Sequence, residues 1–254
     1  MGKLDRRRRE ILELVASNSF MTIDSLADHF SVTPQTIRRD INEMAEEGLI
    51  ARYHGGAASV STTENTAYQD RQVLNLGSKR EIAKLVAEHI PEGASLFINI
   101  GTTNEEVAHA LSGHKSLKII TNNLHVAEIC AANQGFEVII AGGVVRQRDF
   151  GVIGEATIDF INQFKVDYAI IGISGVDEDG SLMDFDYREV RVARAIISNA
   201  RQTFLCTDAS KFGRRAMVRL GHLSEIDALF TDRHPGPNWA DVIREADVSV
   251  YTAN

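Results

Sequence analysis

The first fifty residues alternate apolar and polar positions with the period of amphipathic helices. Apolar side chains recur every three or four residues in three segments between residues 5 and 50, which predicts three short helices. Thr22 and Thr33 are placed to cap the second and third helices, and Pro34 occupies the first helical position after its cap. The third helix is expected to run to about Glu47 and to stop at Gly48, because glycine is typical of helix C-termini.

A short apolar run follows the third helix. Residues 49–54 predict a strand, and Gly55 and Gly56 predict the turn that closes a hairpin. Two helices, a tight turn, a further helix and a hairpin follow one another in the order of a winged helix-turn-helix. The helix-turn-helix places its last helix in the major groove of DNA.

From residue 78 onward, near-continuous apolar runs alternate with amphipathic segments. The runs predict seven strands, at residues 95–100, 117–121, 136–141, 168–173, 203–207, 228–231 and 248–251. Helices are expected between them, for example at residues 78–89, 104–111 and 189–199. Strands that are apolar throughout and separated by helices are typical of a mostly parallel sheet covered on both faces. The fold class is therefore α/β, with an N-terminal winged helix-turn-helix and a C-terminal, mostly parallel α/β domain.

These patterns divide the chain into two domains. Residues 1–57 form the predicted DNA-binding domain, and residues 78–254 form the predicted α/β domain. The segment between them, residues 58–77, begins with many serines and threonines, which indicates a linker with some local structure.

Charge and composition narrow the function classes. The net charge is −8, but the first 57 residues carry eight basic and nine acidic groups, so a local basic patch rather than overall charge must meet DNA phosphates. The N-terminus is charged and no run approaches the roughly 20 apolar residues that span a bilayer. We expect a cytoplasmic protein with no membrane partner.

The two cysteines and eight histidines indicate no metal site. Cys130 and Cys206 lie in apolar runs about seventy residues apart, which is typical of buried, reduced thiols. The histidines show no metal-ligand spacing, so no metal and no cofactor is expected.

The start of the third helix holds the candidate DNA-reading residues. Gln35, Thr36 and Arg39 suit contacts with base edges, whereas Arg38 and the Thr33 hydroxyl suit phosphate contacts. On the predicted wing, two further residues can reach the backbone or the minor groove, namely Arg52 and His54. The run of arginines from Arg6 to Arg9 can add phosphate contacts.

Polar groups at the ends of the predicted parallel strands form the candidate effector site. Gly101, Thr102 and Thr103 follow a strand and open a helix, so they offer backbone N–H groups, hydroxyls and a helix N-terminus to a phosphate. Ligands of open α/β sheets bind at this edge. Other strand ends supply further candidates, namely Asn122, Gly143, Arg146 and Lys211. Arg146 or Lys211 is expected to oppose the charge of a small anionic ligand.

The N-terminal residues resemble the DNA-binding domain of the DeoR family of sugar-metabolism regulators. The match runs from Phe30 to Asp40 and closes at His54-Gly55-Gly56-Ala57. The C-terminal half resembles the sensor domain of the same family, which implies that residues 78–254 form a phosphosugar-type effector-binding and oligomerisation domain. The resemblance implies operator binding as an oligomer, at least a dimer and plausibly a tetramer, with repression as the usual outcome.

The sensor fold of this family is related to ribose-5-phosphate isomerase. Asp177, Glu189 and Lys211 stand at places that match the catalytic groups of those isomerases, which implies that they line the effector site. Ser174 replaces the first acid of the isomerase motif, and the glycine-rich loop of the isomerases is absent around residues 183–186. General acid–base catalysis needs a correctly placed partner, so we interpret the site as a binding site without catalytic residues. A sugar-phosphate isomerase with an added DNA-binding domain is the rival interpretation.

Four segments are similar to the members of this family that control glycerol catabolism, namely residues 97–111, 153–160, 172–191 and 210–218. This resemblance implies a repressor of genes for the catabolism of glycerol and glycerol-3-phosphate, with glycerol-3-phosphate as the inducer. Fold and motif by themselves predict only a phosphorylated small metabolite. A response to another phosphorylated sugar, or an activator in place of a repressor, stays open.

Overall fold

The computed structural model describes residues 3–18, 20–53, 55–59 and 68–253. The chain forms two compact units, Met1–Leu76 and Gly77–Asn254. Each unit has its own hydrophobic core. Of the helices in the described residues, none is long and apolar enough to cross a membrane.

The first unit combines helices with a small antiparallel sheet. Its helices are α1 (Lys3–Asn18), α2 (Ile23–Phe30), α3 (Pro34–Glu46) and α4 (Tyr68–Val73). Its strands are β1 (Phe20–Thr22), β2 (Ile50–Tyr53) and β3 (Gly56–Ser59), in the sheet order β1-β3-β2. The winged helix-turn-helix order predicted from the sequence is confirmed.

The helix caps of this unit follow the sequence pattern. The Oγ1 atoms of Thr22 and Thr33 accept hydrogen bonds from the backbone N–H groups of Ser25 and Thr36, at 3.0 and 3.3 Å. Helix α3 ends just before Gly48, whose φ of 71° is a conformation that glycine adopts at little cost. Strand β1 was not predicted, because its three residues pair with a strand more than thirty residues away and leave no local pattern.

The predicted linker overlaps regular structure at both ends. Residues 58 and 59 belong to β3, and α4 occupies Tyr68–Val73. The first unit extends to Leu76 and so contains most of this segment. Residues 60–67 lie outside the described part of the chain.

The second unit is built on a seven-stranded sheet with helices around it. Its helices are α5 (Leu76–Glu88), α6 (Thr102–Ala110), α7 (Leu124–Ala131), α8 (Glu155–Ile161), α9 (Tyr187–Ser198) and α10 (Ala240–Glu245). The seven strands are β4 (Ser95–Ile98), β5 (Lys118–Thr121), β6 (Glu137–Ile140), β9 (Val166–Ile171), β12 (Ala200–Cys206), β14 (Ala228–Thr231) and β15 (Ser249–Thr252). Every neighbouring pair in this sheet is parallel, which confirms the predicted fold class.

The two faces of this sheet bury different side chains of the same strands. Leu96 and Ile98 belong to the core on one face, whereas Phe97 between them belongs to the core on the other. In β12, Phe204 and Leu205 divide in the same way. A strand that is buried on both faces reads as a continuous apolar run, and therefore these strands were visible in the sequence.

Smaller antiparallel pieces complete the second unit. One is the hairpin of β7 (Val144–Arg146) and β8 (Gly151–Ile153), and the other is a sheet of β10 (Gly175–Val176), β11 (Ser181–Asp184) and β13 (Val218–His222). The sequence did not predict them, because strands of two to five residues are too short for a clear periodic signal.

The strand order defines the crevice where ligands bind in such folds. In the sheet order β15-β14-β12-β9-β4-β5-β6, the chain proceeds from β4 outward through β5 and β6 and then returns to the other side of β4 at β9. The carboxyl ends of β4 and β9 therefore flank the topological switch point of the sheet, which is the usual ligand site of open α/β sheets.

Candidate nucleic-acid interface and effector site

One face of α3 presents polar side chains to solvent. Gln35, Arg38 and Arg39 are exposed, whereas Ile37 and Ile41 are fully buried on the opposite face. The side chain of Arg39 is 83% exposed, and its Nε donates to Oε1 of Glu43 at 3.0 Å on the same helix. A surface ion pair of this kind is weak, so the guanidinium is available for exchange with a DNA partner.

The two threonines at the start of α3 bond to each other. The Oγ1 atoms of Thr33 and Thr36 lie 2.9 Å apart, and the Thr33 Oγ1 also accepts from the Thr36 backbone N–H. Their hydroxyls hold the first turn of the helix in shape. A direct DNA contact by either residue stays a prediction.

Two arginines of the N-terminal run brace the helices of this unit. Nε of Arg7 lies 2.6 Å from Oδ2 of the buried Asp40, and Arg8 forms an ion pair with Glu43. These pairs join α1 to α3, which positions the exposed face of α3. Arg6 and Arg9 are exposed on α1.

The wing contributes one described candidate residue. Arg52 is exposed in β2, where its backbone pairs with Ala57 of β3. His54, the other residue predicted here, lies outside the described residues.

The candidate effector site begins where β4 meets α6. Gly101 precedes the helix with φ of 145°, and as a glycine it has no side chain to cap the N–H groups of the first turn. Thr102 is buried and Thr103 is half-buried at this turn. The helix N-terminus thus offers backbone donors and positive dipole character at the switch point. An anion bound there by Gly101, Thr102 and Thr103 stays a prediction.

Three loops converge at this point. A Cβ atom placed on Gly172, which follows β9, would lie 3.7 Å from Nδ2 of Asn104 and 3.9 Å from the carbonyl oxygen of Cys206 at the end of β12. The carboxyl ends of β4, β9 and β12 therefore surround the side chain of Asn104.

Several buried polar atoms at these strand ends have no hydrogen-bond partner among the residues that the structure describes. They are Oδ1 of Asn99, Oδ1 of Asn104, Oδ1 of Asn122 and Oγ1 of Thr207. A buried polar atom without a partner costs about 1–3 kcal/mol, so their concentration at one edge indicates a site for a polar ligand. Sequence reasoning found Asn122 but missed the other three, of which Asn99 and Thr207 directly follow apolar strands and Asn104 lies in the first turn of α6.

A buried charge cluster lies at the end of β12. The carboxylate of Asp208 accepts from the Ser210 N–H at 3.0 Å and so caps the turn that carries Lys211. Burial by itself raises the pKa of Asp208, but Lys211, the hydrogen bonds of Ser210 and the charge of Lys79 outweigh it and lower the pKa below its usual range. The sequence analysis missed Lys79, whose charge is among the causes of this lowered pKa.

Arg146 lies in a separate buried ion cluster. Its Nε and Nη2 donate to the two carboxylate oxygens of Asp149 at 2.8 and 2.6 Å, its Nη1 donates to Asp186 at 3.1 Å, and its Nη2 donates to Glu189 at 2.7 Å. Burial by itself lowers the pKa of Arg146, but Glu189 and Asp149 raise it overall. Three carboxylates already compensate this guanidinium. The predicted contacts of Arg146 and Glu189 with the effector stay untested.

Three more predicted residues have structural roles. A Cβ on Gly143 would collide with Oγ1 of Thr157 on α8, so close packing requires the glycine. Nδ2 of Asn122 donates to the Val152 carbonyl at 3.1 Å and holds the β7–β8 hairpin. The backbone N–H of Asp177 donates to the Ser181 carbonyl in the turn between β10 and β11. A contact of these residues with an effector stays a prediction.

Ser174 takes part in a local polar network. Its Oγ donates to Oδ1 of the buried Asp184 at 3.1 Å, and Nη1 of Arg214 donates to its carbonyl oxygen at 2.8 Å. The serine thus supports the neighbouring acid and has no carboxylate of its own.

An exposed reading helix on a winged helix-turn-helix, followed by an α/β unit with a polar site at its switch point, defines a ligand-responsive DNA-binding protein. Residues 7–63 match the DeoR-like helix-turn-helix domain, and residues 74–233 match the DeoR C-terminal sensor domain. The chain belongs to the DeoR family of DNA-binding transcription regulators.

Full-length relatives support this assignment. The chain is 51% identical over 248 residues to the glycerol-3-phosphate regulon repressor of Escherichia coli, which covers 98% of both chains. It is 52% identical to the glycerol-3-phosphate regulon repressor of Haemophilus influenzae, over 92% of this chain and 91% of that one.

Ribose-5-phosphate isomerase A of Methanocaldococcus jannaschii is among the solved structures that are similar to this chain. The TM-score is 0.41 at 14% identity, over 54% of this chain and 55% of the isomerase. A likeness at this level supports no inference about a ligand or a reaction.

Proposed function

We propose that this protein represses genes for the catabolism of glycerol and glycerol-3-phosphate, and that glycerol-3-phosphate releases it from operator DNA. The observation that carries the proposal is the identity of 51% along 98% of the chain with a glycerol-3-phosphate regulon repressor. At the switch point, the chemistry of the second unit suits such a ligand.

A glycerol phosphate needs two kinds of partner. Its phosphate needs hydrogen-bond donors and a cation, which the N-terminus of α6 and Lys211 offer. Its two hydroxyl groups need acceptors, and the side-chain oxygens of Asn99 and Asn104 are buried acceptors without a partner among the described residues. A free inorganic phosphate would use only the donors of α6 and Lys211, and not the oxygens of Asn99 and Asn104.

We infer that the sensor domain binds and does not convert its ligand. The relatives that share most of the chain are repressors, and the hydroxyl of Ser174 is engaged with Asp184 and supplies no acid at this position. An assay with ribose-5-phosphate tests this inference, and turnover above a Lys211→Ala background would contradict it.

We further infer that at least two copies bind one operator. Helix-turn-helix proteins read paired half-sites about one helical turn of DNA apart, and a single copy presents only one α3. The effector lowers operator affinity if it binds the free protein more tightly than the DNA-bound form, by the same factor in both directions. A coupling of about 5–150-fold is typical.

A thermal-shift series on the full-length protein tests the ligand. Glycerol-3-phosphate at 100 times its dissociation constant is expected to stabilise the second unit by about 2.7 kcal/mol. Glycerol, inorganic phosphate and ribose-5-phosphate are the matched controls, because each lacks part of the proposed ligand or enlarges it. Equal or greater stabilisation by ribose-5-phosphate would assign the sensor to another phosphorylated sugar.

Lys211→Ala separates the effector site from the DNA-binding surface. The variant is expected to bind operator DNA like the wild type but to lose most of its response to glycerol-3-phosphate. The measurement is operator affinity with and without the ligand. A normal response would exclude Lys211 from the site.

A further inference from the structure

Exposed apolar side chains are concentrated between β6 and β8. Of the seven large hydrophobic side chains that are exposed in the described part of the second unit, four lie within residues 140–150, namely Ile140, Val144, Val145 and Phe150. Single exposed apolar residues are ordinary on a protein surface, whereas a patch of them marks an interaction site. We call these four residues the hairpin surface.

Two open strand edges border the hairpin surface. Strand β6, which ends at Ile140, is the last strand of the seven-stranded sheet and pairs only with β5. Among the described residues, β7 pairs only with β8. Unpaired backbone groups at an edge bind other strands, and proteins usually block them with charged residues or proline. Residues 138–145, which join the two edges, contain neither.

The hairpin is held firmly on its other side. The backbone N–H of Val152 in β8 donates to the carbonyl oxygen of Asn122 at 2.7 Å. A Cβ atom on Gly151 would lie 2.4 Å from Cδ1 of Ile100, so the hairpin backbone packs closely on the residue before Gly101. A hairpin that is fixed in this way presents its exposed side chains in one arrangement, which lowers the entropic cost of docking.

Phe150 adopts a backbone conformation that bulky residues avoid. Its φ is 55°, and its ring packs edge-on against His125 with the ring centroids 5.2 Å apart. Strain of this kind is concentrated at binding and switch sites. Glycine would fit here without strain, so the chain places a strained and 47% exposed ring where the fold does not require one.

Charge and symmetry favour a second copy of this chain as the occupant. Identical copies usually associate about a two-fold axis, which brings the same patch together from both sides. A charged patch would then face its own charge and be repelled. Residues 138–145 carry no charge, and an open edge strand can pair antiparallel with its own copy about such an axis.

We propose that two copies of this chain associate through the hairpin surface of each copy. The proposal rests on the proposed function, since operator binding by at least two copies is inferred there. Because β8 is hydrogen-bonded to Asn122, the contact between copies and the candidate effector site share the β7–β8 hairpin.

Sedimentation velocity on a dilution series of the full-length protein, without DNA or ligand, tests the proposal. Val144→Lys places two like charges in the contact and is expected to raise the dissociation constant of self-association by about tenfold or more. Thr252→Lys is the matched control, because it adds the same charge at an exposed β-branched residue of β15, the opposite edge of the sheet. This control is expected to associate like the wild type. Equal association of Val144→Lys and wild type would overturn the proposal, as would a wild type that stays monomeric.

Phe150→Gly separates association from folding. Glycine adopts a φ of 55° without strain, so the variant is expected to fold and yet to associate at least about threefold more weakly. Urea unfolding and sedimentation measure the two properties. A folded Phe150→Gly protein that associates like the wild type would contradict the proposal.

A cysteine variant adds a positive test that leaves the fold undisturbed. The native Cys130 and Cys206 are buried, and Val144→Cys changes the size of the side chain little. A short bismaleimide is expected to link two copies of Val144→Cys into a covalent dimer, whereas Thr252→Cys stays unlinked. Absence of the covalent dimer would overturn the proposal.

These measurements can fail independently of the proposed function, because they need neither operator nor glycerol-3-phosphate. A protein that associates through the hairpin surface but ignores glycerol-3-phosphate would refute the inducer and support the interface. If Val144→Lys loses self-association and still binds the operator like the wild type, the interface is supported and paired operator binding is refuted.

Discussion

Arg39 and Arg146 show how differently the two units use the same side chain. Arg39 stands on α3 with 83% of its side chain exposed and one weak ion pair within its own helix. The side chain of Arg146 is 7% exposed and is surrounded by carboxylates, two of which come from about forty residues further along the chain. The guanidinium of the first unit faces solvent, whereas that of the second unit holds its own fold together.

The difference teaches that a charged residue near a predicted site needs its partners identified before it is given a role. Arg146 follows a strand end, as a ligand-binding residue would, and yet Asp149, Asp186 and Glu189 already saturate it. Lys79 is buried on α5 near apolar residues, where no ligand contact is expected, and yet its charge lowers the pKa of Asp208.

The largest expected effect is on the free energy of unfolding, when the ion cluster of Arg146 is broken. Arg146→Met removes the closest cation of three carboxylates and leaves them only the more exposed Arg148 in common, so it is expected to lower the free energy of unfolding by about 3 kcal/mol. Urea unfolding measures it. Arg191→Met is the control, because its ion pair with Glu155 is exposed and its loss should change stability little. A stable Arg146→Met protein that no longer binds the ligand would show that Arg146 belongs to the effector site.

The same cluster predicts a loss of stability in acid. Burial by itself raises the pKa of Asp186, but the hydrogen bonds of Arg188 and the charges of Arg146 and Arg188 lower it to about 2. Because the folded value lies below the unfolded value, the contribution is complete above about pH 4 and is lost as the pH falls toward 2. The contribution of this pKa shift to the free energy of unfolding is less than about 2 kcal/mol after solvent screening. The stability difference between wild type and Asp186→Asn should shrink across this window, and a constant difference would contradict it.

A smaller effect sharpens the role of the exposed arginine. Arg39→Ala is expected to cost about 1–3 kcal/mol of operator binding and to relax base preference, because a bidentate contact with guanine would be lost. Competition between operator and scrambled DNA at fixed salt measures both. Arg38→Ala, at the predicted phosphate contact, should weaken binding equally on both DNAs. If Arg39→Ala did the same, Arg39 would be only a phosphate contact.

The smallest effect concerns the N-terminal cap of α3, the recognition helix. Thr33→Ala removes the side-chain acceptor of the Thr36 N–H and is expected to destabilise the first unit by about 1 kcal/mol. Hydrogen exchange of the α3 amides reports this unit by itself. Thr33→Asp keeps an acceptor and should restore protection. Unchanged exchange in Thr33→Ala would show that Pro34 and packing are enough to hold the helix start.

The parts predicted from sequence are those that local physics determines. Caps such as Thr22 and Thr33 act within three residues, and the strands of the parallel sheet are continuous apolar runs because both of their faces are buried. The bounds moved by a few residues, as for the predicted strand at 203–207 that became Ala200–Cys206.

The parts that escaped prediction depend on long-range contacts. Strand β1 exists because it pairs with β3, and the partners of Arg146 lie up to 43 residues away. Lys79 and Asp208 are more than a hundred residues apart, so no local spacing could reveal them together. Asn99 and Asn104 are recognisable only once burial shows that their oxygens have no partner among the described residues.

The central claim is that a small phosphorylated ligand and operator DNA favour different states of one protein. Fluorescence anisotropy with promoter DNA from upstream of glycerol-catabolism genes tests it, at fixed salt, with and without glycerol-3-phosphate. Tight, sequence-specific binding that weakens about 5–150-fold with the ligand is the predicted result. Specific binding with an operator affinity that is unchanged across the ligand titration would contradict it.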